Sequence, residues 1–202
     1  VVAVSLNGRD YSEPVTQASQ RITGALWGLD ASLAYSRHYP SVNWNRSYTL
    51  YYDLLQPWFL EKFGPAWHAQ REEMQVLLSK DAELQEIVQL VGPDALQDAQ
   101  RLILETATMV REDFLQQNAF HAVDASCSLT KQFQMLKGIL KYYELGEKVL
   151  QAGNAIGDWV EIPERETIGR FKEVPEEEFD ARFAEFEKAI QTSAEQLINQ
   201  VH

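Results

Sequence analysis

Residues 128–153, SLTKQFQMLKGILKYYELGEKVLQAG, most strongly indicate the fold class of this 202-residue chain. Apolar side chains recur there every three or four residues, at Met135, Leu136, Ile139, Leu140, Tyr143 and Val149. This period places them on one face of an α-helix. Ser128 is a suitable N-cap, and Ala152-Gly153 is a suitable end. The stretch therefore predicts one long helix whose apolar face packs against other helices.

Helical periodicity continues on both sides of this run. We expect further helical segments at 47–63 with a break at Pro57, at 67–78, at 82–91 after a break near Lys80-Asp81, from Pro93-Asp94 to about Leu115, at 165–172 within a loop, and at 175–201. The last helix begins with Glu176, Glu177 and Glu178, which suit the positive end of a helix dipole and predict a solvated first turn.

The N-terminal part has a different character. VVAVSL at 1–6 is short, rich in β-branched residues and closed by Asn7-Gly8, which predicts the end of a strand, interpreted as an edge left by truncation. Ser12 and Pro14 favour a helix start, and the apolar period then predicts a single helix that continues to Leu33. Pro40 stops it, so residues 37–40 are expected in a loop.

The charge and composition limit the partners. Lys and Arg number 18 against 30 Asp and Glu, a formal net charge of −12, so nucleic acid and anionic membrane surfaces would be repelled. The sequence has no apolar run of the roughly 20 residues that a membrane span needs, and it does not begin like a signal peptide. We therefore expect a cytoplasmic protein without direct membrane insertion.

The residue types that carry catalysis are sparse. Cys127 is the single cysteine, in a context expected to be helical and apolar, and it is interpreted as a small buried hydrophobe. The four histidines are scattered and lack metal-site spacing, so no metal ligands are assigned. GxxxxGK[ST], GxGxxG and GxSxG are all absent, and no catalytic residue is assigned to this chain.

Several strings nevertheless resemble, in the correct order, the C-terminal part of the catalytic A subunit (alpha chain) of rotary A/V-type ATP synthases. They are DYSEPVTQASQRI (10–22), RHYPSVNW (37–44), VQLVGPDAL (88–96), REDFLQQNAF (111–120), VDASCSLTKQ (123–132) and IPERETIGRFKEVPEEEF (162–179). The chain departs from the pattern of that family at SLNGRD (5–10) and at Asn45-Arg46.

The resemblance implies a mainly α fold in two parts. Residues 1–47 would be the remnant of a P-loop-type α/β nucleotide-binding core, contributing its last strand, its last helix and an adenine-side loop. Residues 48–202 would form a C-terminal helical bundle. The phosphate loop and the magnesium ligands for ATP or ADP would lie upstream of residue 1, so the fragment alone is expected to be inactive.

The resemblance also implies partners and a binding role. The intact subunit would alternate with non-catalytic B subunits in a hexameric head, peripheral to the membrane, and would couple ATP hydrolysis or synthesis through central stalk subunits to ion transport. Tyr39 and Phe120 would form opposite walls of an adenine pocket, completed by Phe114. Glu176 to Glu178 would be available to touch the stalk.

Simpler interpretations stay open. An aromatic residue beside a proline, or in a loop between helices, is often a core plug and no ligand contact, and Arg37 with His38 can be a solvated helix end as easily as a phosphate grip. The chain could be a stand-alone helical module that binds a protein partner without nucleotide, although such a bundle has no use for VVAVSL. It could also be the non-catalytic partner subunit, which should lack REDFLQQNAF.

Overall fold

The computed structural model describes residue 3 and residues 14–200. Residues 1, 2 and 4–6 of the predicted strand, and residue 201 of the predicted final helix, lie outside this range. Helices dominate the described part, as predicted. The α-helices are α1 (Pro14–Ile22), α2 (Ala31–Tyr35), α3 (Tyr52–Phe63), α4 (Ala66–Val91), α5 (Asp98–Met109), α6 (Leu129–Gln151), α7 (Ile156–Val160), α8 (Pro163–Arg170) and α9 (Glu176–Gln200). None of the helices in these residues is both long and apolar enough to span a bilayer.

The helix predicted to run from Pro14 to Leu33 is wrong beyond Ile22. The chain leaves α1 and forms strand β1 (Ala25–Leu26), which pairs antiparallel with β2 (Tyr48–Thr49). Only glycine fits at position 24 beside Tyr51, because a Cβ there would lie 2.3 Å from the Tyr51 hydroxyl oxygen. Helix α2 then begins afresh after Asp30, whose side chain caps it.

Helices α3 and α4 form a hairpin, and both predicted interruptions are wrong. Pro57 lies inside α3, which continues through it to Phe63. The chain turns at Gly64, with φ of 71°, and the hairpin closes through stacked rings such as Phe63 and Trp67, 4.7 Å between centroids. Helix α4 passes Lys80-Asp81 without a break, because the buried Asp81 is paired with Arg111 from the next helical segment.

The core lies around α6, whose predicted bounds are confirmed. The Ser128 hydroxyl accepts a hydrogen bond from the Lys131 N–H, as expected for an N-cap. The apolar face of α6 packs in a cluster with side chains from α4, α5, α7, α8 and α9, among them Leu78, Leu102, Met135, Ile139, Tyr142, Trp159, Ile168, Phe183, Phe186 and Ile190. The α-rich bundle predicted from the sequence is therefore formed.

Helices α6 and α9 run parallel. Their contacts rise together in residue number: Gln134 with Asp180, Lys137 with Glu187, and Asn154 with Leu197. At their adjacent starts, the Glu176 carboxylate accepts hydrogen bonds from the Ser128 N–H (2.9 Å) and hydroxyl (2.7 Å). Glu176 thus caps a second helix, which corrects the expectation of a purely solvated first turn.

The connection between α6 and α9 is more ordered than predicted. The single short helix expected at 165–172 is replaced by α7, by α8, which begins at Pro163, and by a 3₁₀ turn at Phe171–Glu173. Sequence periodicity missed α7 because it has only five residues. Its buried Trp159 and Ile156 fix it against the core. Arg165 ties α8 to the bundle through Glu105 (2.5 Å) and Asp113 (3.1 Å).

Candidate functional site

Tyr39 lies in the loop that follows α2, here called the Tyr39 loop (residues 36–47). Arg37 adopts a left-handed conformation with φ of 61°, and the His38 N–H donates to the Leu33 carbonyl at 2.8 Å. The Tyr39 side chain is 52% exposed, and its hydroxyl lies 3.4 Å from the carbonyl oxygen of Ala34. The Tyr39–Pro40 peptide bond is cis. The loop therefore presents an aromatic ring to solvent.

Asp30, the N-cap residue of α2, holds the far half of this loop. Its carboxylate accepts hydrogen bonds from the Ser32 hydroxyl (2.6 Å), the Ser32 N–H (2.8 Å) and the Asn43 amide (2.8 Å). The hydrogen bonds from Ser32 and Asn43 lower the pKa of Asp30 to about 2. The ionised carboxylate therefore joins the start of α2 to the far side of the Tyr39 loop.

Phe120 lies in the second loop, here called the Phe120 loop (residues 116–127). It follows a π-helical turn, Val110–Leu115, that extends α5, so the segment ends where it was predicted to end. The Asn118 N–H donates to the buried Asp124 carboxylate at 2.6 Å, and the Phe120 N–H donates to the Asn118 side chain at 3.0 Å. The Phe120 ring is 101% exposed, which is the opposite of a core plug.

Two hydrogen bonds join the two loops, and a third joins the Tyr39 loop to the π-helical turn that precedes the Phe120 loop. The Gln117 N–H donates to the Tyr39 carbonyl at 2.7 Å. The His38 ring Nε2 donates to the Arg111 carbonyl at 2.8 Å, and the Gln116 side-chain amide lies 3.4 Å from the Arg37 carbonyl. Residues about 80 positions apart in sequence are thus brought side by side, with Tyr39 and Phe120 on the joined segments.

Phe114 occupies a different environment. It is half-buried and packs against both apolar clusters, including Leu77, Leu136 and Leu140. The Phe114 ring therefore contributes to the packing of the apolar core. His38 is buried and bonded, so it is no part of a solvated helix end, whereas Arg37 is exposed.

Other surface features of the described residues are separate from the Tyr39 and Phe120 rings. A groove of about 580 Å³ lies between α8 and the start of α9, lined by residues such as Phe171, Arg182 and Phe186, and it excludes Tyr39 and Phe120. Across residues 14–200, no group of three or more His, Cys, Asp or Glu side chains is arranged to hold a metal ion. Cys127 lies in the turn before α6 and outside any helix, and burial raises the pKa of its thiol.

Sequence reasoning missed the residues that fasten the two loops. Asp124 and Asp30 anchor the Phe120 and Tyr39 loops respectively, and each carried only a weak local signal of turn or cap chemistry. The bond from His38 to Arg111 spans 73 residues and has no sequence signature.

Comparison with known proteins gives two family matches. Residues 56–155 match a family described as the C-terminal domain of V and A type ATP synthase. Residues 1–49 match the nucleotide-binding domain of the ATP synthase alpha/beta family.

Individual relatives agree with these matches. The chain is 50% identical, over 97% of its length, to the V-type ATP synthase alpha chain of Acetivibrio thermocellus, and 46% identical, over 99%, to the A subunit of the A-type ATP synthase of Methanopyrus kandleri. It spans 33% and 34% of those proteins. A solved structure of the ATP synthase protein NeqB from Nanoarcheaum equitans matches 68% of this chain and 32% of its own, with a TM-score of 0.55 and 21% identity, a likeness of fold.

Proposed function

Because this chain belongs to the A-subunit (alpha-chain) family of V/A-type ATP synthases and matches the C-terminal part of that subunit, we propose that it supplies the adenine side of an ATP site. The intact subunit would hydrolyse or synthesise ATP in step with ion transport. The 202 residues carry no GxxxxGK[ST] loop, so the phosphate grip and Mg²⁺ ligands would come from the remaining two thirds of the subunit. On its own the fragment would be inactive.

The observation that carries the adenine assignment is the hydrogen bond between the Gln117 N–H and the Tyr39 carbonyl. It fixes the backbones of two loops that each present an aromatic side chain to solvent, 52% exposed at Tyr39 and fully exposed at Phe120. A purine stacked on such a ring gains about 1–3 kcal/mol. The proposal includes Phe114 as the third, inner aromatic, which acts mainly through its packing under the site.

The proposed division into two parts follows the family matches. Residues 1–47 would be the remnant of the nucleotide-binding core and residues 48–202 the helical bundle domain. The two family models match residues 1–49 and 56–155, which supports a boundary near residue 50.

The proposed partners are those of the assembled enzyme. The intact subunit would alternate with non-catalytic B subunits in a hexameric head, on the cytoplasmic side of the membrane, and its helical domain would contact the central stalk subunits. A net charge of −12 supports protein partners in preference to nucleic acid. The exposed Glu177 and Glu178, which are free of the capping role of Glu176, are the acidic groups available to a stalk contact.

Mechanistically, nucleotide binding would pull the two joined loops, and with them the bundle, relative to the nucleotide-binding core. The Tyr39 loop is bonded to the Phe120 loop and to the π-helical turn, so closure on adenine would move these elements as one body. Such hinge closure passes a local binding event to a distant surface. The bundle would transmit the movement to the stalk.

The test is the affinity of the intact subunit for ATP. Tyr39→Ala and Phe120→Ala should each weaken ATP binding by roughly 5- to 150-fold while the hexamer still assembles. Tyr35→Ala is the matched control, since Tyr35 is an equally large aromatic side chain, 80% exposed, four residues upstream. An ATP affinity that stays at the wild-type value in both site variants would overturn the adenine assignment and favour a helical interaction module without nucleotide.

A further inference from the structure

We infer that His38 is the positioning residue of the adenine side: its ring fastens the Tyr39 loop to the helical bundle at the carbonyl of Arg111. The inference rests on the proposed function, because it assigns His38 the task of orienting Tyr39 towards a bound purine. It touches neither nucleotide nor phosphate in this scheme.

The first observation is the contrast between His38 and its neighbours. Arg37 and Tyr39 are exposed, while His38 is only 8% exposed. Successive side chains thus point to opposite sides, and the inward direction of His38 sets the outward direction of Tyr39. The imidazole also packs beside Trp44, with ring centroids 5.7 Å apart, so the same side chain supports the far half of the Tyr39 loop.

The second observation is the nature of the acceptor. The Arg111 carbonyl receives the Gln116 N–H at 3.0 Å, which is the spacing of a π-helix, and the His38 Nε2–H at 2.8 Å. A carbonyl oxygen has two lone pairs, so both are used. His38 Nδ1 is buried and has no hydrogen-bond partner in the described structure, so the polar fastening of the ring depends on Nε2 alone.

The third observation is that the π-helical turn, which carries Arg111, is itself bonded to the surrounding helices. The Arg111 guanidinium binds the buried Asp81 of α4 and donates to the Thr108 hydroxyl of α5 at 2.9 Å. Lys172 donates to the Glu112 carbonyl at 2.8 Å, and Arg165 of α8 binds Asp113. The π-helical turn is therefore a rigid block, and whatever is bonded to it moves with the bundle.

The experiment compares His38 variants of the intact subunit. His38→Phe keeps an aromatic ring beside Trp44 but has no donor, and His38→Leu is a second donor-free variant. His38→Gln restores an N–H at similar reach. The matched control is His68→Phe, which removes an imidazole that is hydrogen-bonded to the Tyr52 hydroxyl at 2.8 Å on the α3–α4 hairpin.

Two quantities are measured. Amide hydrogen exchange at Gln117 reports on the junction of the loops, and steady-state ATP hydrolysis gives KM and kcat. In the donor-free variants we expect Gln117 to exchange roughly 3- to 10-fold faster and the KM for ATP to rise by a similar factor with kcat unchanged, as expected for one lost hydrogen bond. His38→Gln should recover both values, and His68→Phe should match the wild type.

The outcomes separate this inference from the proposed function. Unchanged Gln117 exchange in both donor-free variants would overturn the fastening role. Faster exchange with an unchanged KM, while Tyr39→Ala still weakens ATP binding, would overturn the positioning role and leave the adenine site standing. If Tyr39→Ala and Phe120→Ala also bind ATP normally, the proposed function fails and the positioning role fails with it.

Discussion

The carboxylate of Asp81 in α4 accepts a hydrogen bond from the guanidinium of Arg111, in a pair whose side chains are 8% and 19% exposed. It joins the middle of the 26-residue helix α4 to the π-helical turn at the end of α5. The Gln85 amide also approaches the Asp81 carboxylate at 3.3 Å. The charge that interrupts the apolar period of α4 is therefore an interhelix contact and does not break the helix.

We expect Asp81→Leu to lower the free energy of unfolding by about 2–4 kcal/mol, because it leaves the mostly buried Arg111 guanidinium without its counter-charge. The double variant Asp81→Leu/Arg111→Met should recover most of this loss, since it replaces the pair by apolar packing. Urea unfolding of the four-member cycle measures both. A double variant no more stable than Asp81→Leu would contradict this account.

Acid should loosen the Tyr39 loop through Asp30. Its pKa of about 2 in the folded chain lies below the ordinary value of 3.8, so its stabilising contribution is complete above pH 4 and is lost as the pH falls towards 2. Solvent reaches this carboxylate, and after allowance for screening the contribution is at most about 1 kcal/mol. Asp30→Asn keeps an oxygen acceptor without the charge.

The measurement is amide exchange in the Tyr39 loop between pH 5 and pH 2, corrected for the intrinsic pH dependence of exchange. We expect the difference between the wild type and Asp30→Asn to be present at pH 5 and to vanish near pH 2. A constant difference across this range would show that the Asp30 charge has no part in ordering the loop.

Phe114 and Phe120 should respond oppositely to truncation. Phe114→Ala removes a ring that packs on both apolar clusters, and we expect a loss of about 2–4 kcal/mol in the free energy of unfolding. Phe120→Ala removes a fully exposed ring and should change stability by less than about 0.5 kcal/mol. Thermal or urea unfolding separates them. Equal losses in both would mean that Phe120 is a structural residue.

Gly146 should not tolerate alanine. A Cβ there would lie 2.6 Å from Trp159 Nε1 and 2.9 Å from Leu102 Cδ1, so α6 would be forced away from α5 and α7, at a cost of about 1–3 kcal/mol or more. Gly157→Ala is the matched control in α7, with open space around it, and should raise stability by up to about 1 kcal/mol through helix propensity. Thermal midpoints of the two variants are compared; a Gly146→Ala variant as stable as the wild type would refute the close approach.

The elements predicted well were those with local signals. Ser128, the apolar period of α6 and Gly153 lie next to the structure they specify, and the structure confirmed all three roles. The helix predicted through Leu33 failed because apolar spacing continued across Gly24 and Asp30, whereas strand pairing with Tyr48 and Thr49 decided the local conformation. Likewise, the break predicted at Asp81 failed because its partner lies 30 residues later.

The candidate site divides in the same way. Tyr39 and Phe120 were reached through the resemblance of their sequence strings to a family, and their role in binding adenine stays a prediction. The groups that bring them together, His38 with Arg111 and Gln117 with Tyr39, are separated by more than 70 residues. Hydrogen bonds of that range leave no periodic trace in a single sequence.

The parallel arrangement of α6 and α9 bears on the order in which the chain folds. Two consecutive antiparallel helices can pair through a tight turn, but parallel partners require the chain to travel back along the whole helix first. Here α7 and α8 lead the chain back from the end of α6 towards its start. The hydrogen-bonded pair Ser128 and Glu176 is therefore separated by 48 residues. Closing so long a loop costs entropy that local contacts do not. We therefore expect α9 to dock last, after α7 and α8 have formed, and the C-terminal helix to be the element most exposed to interception by chaperones during synthesis.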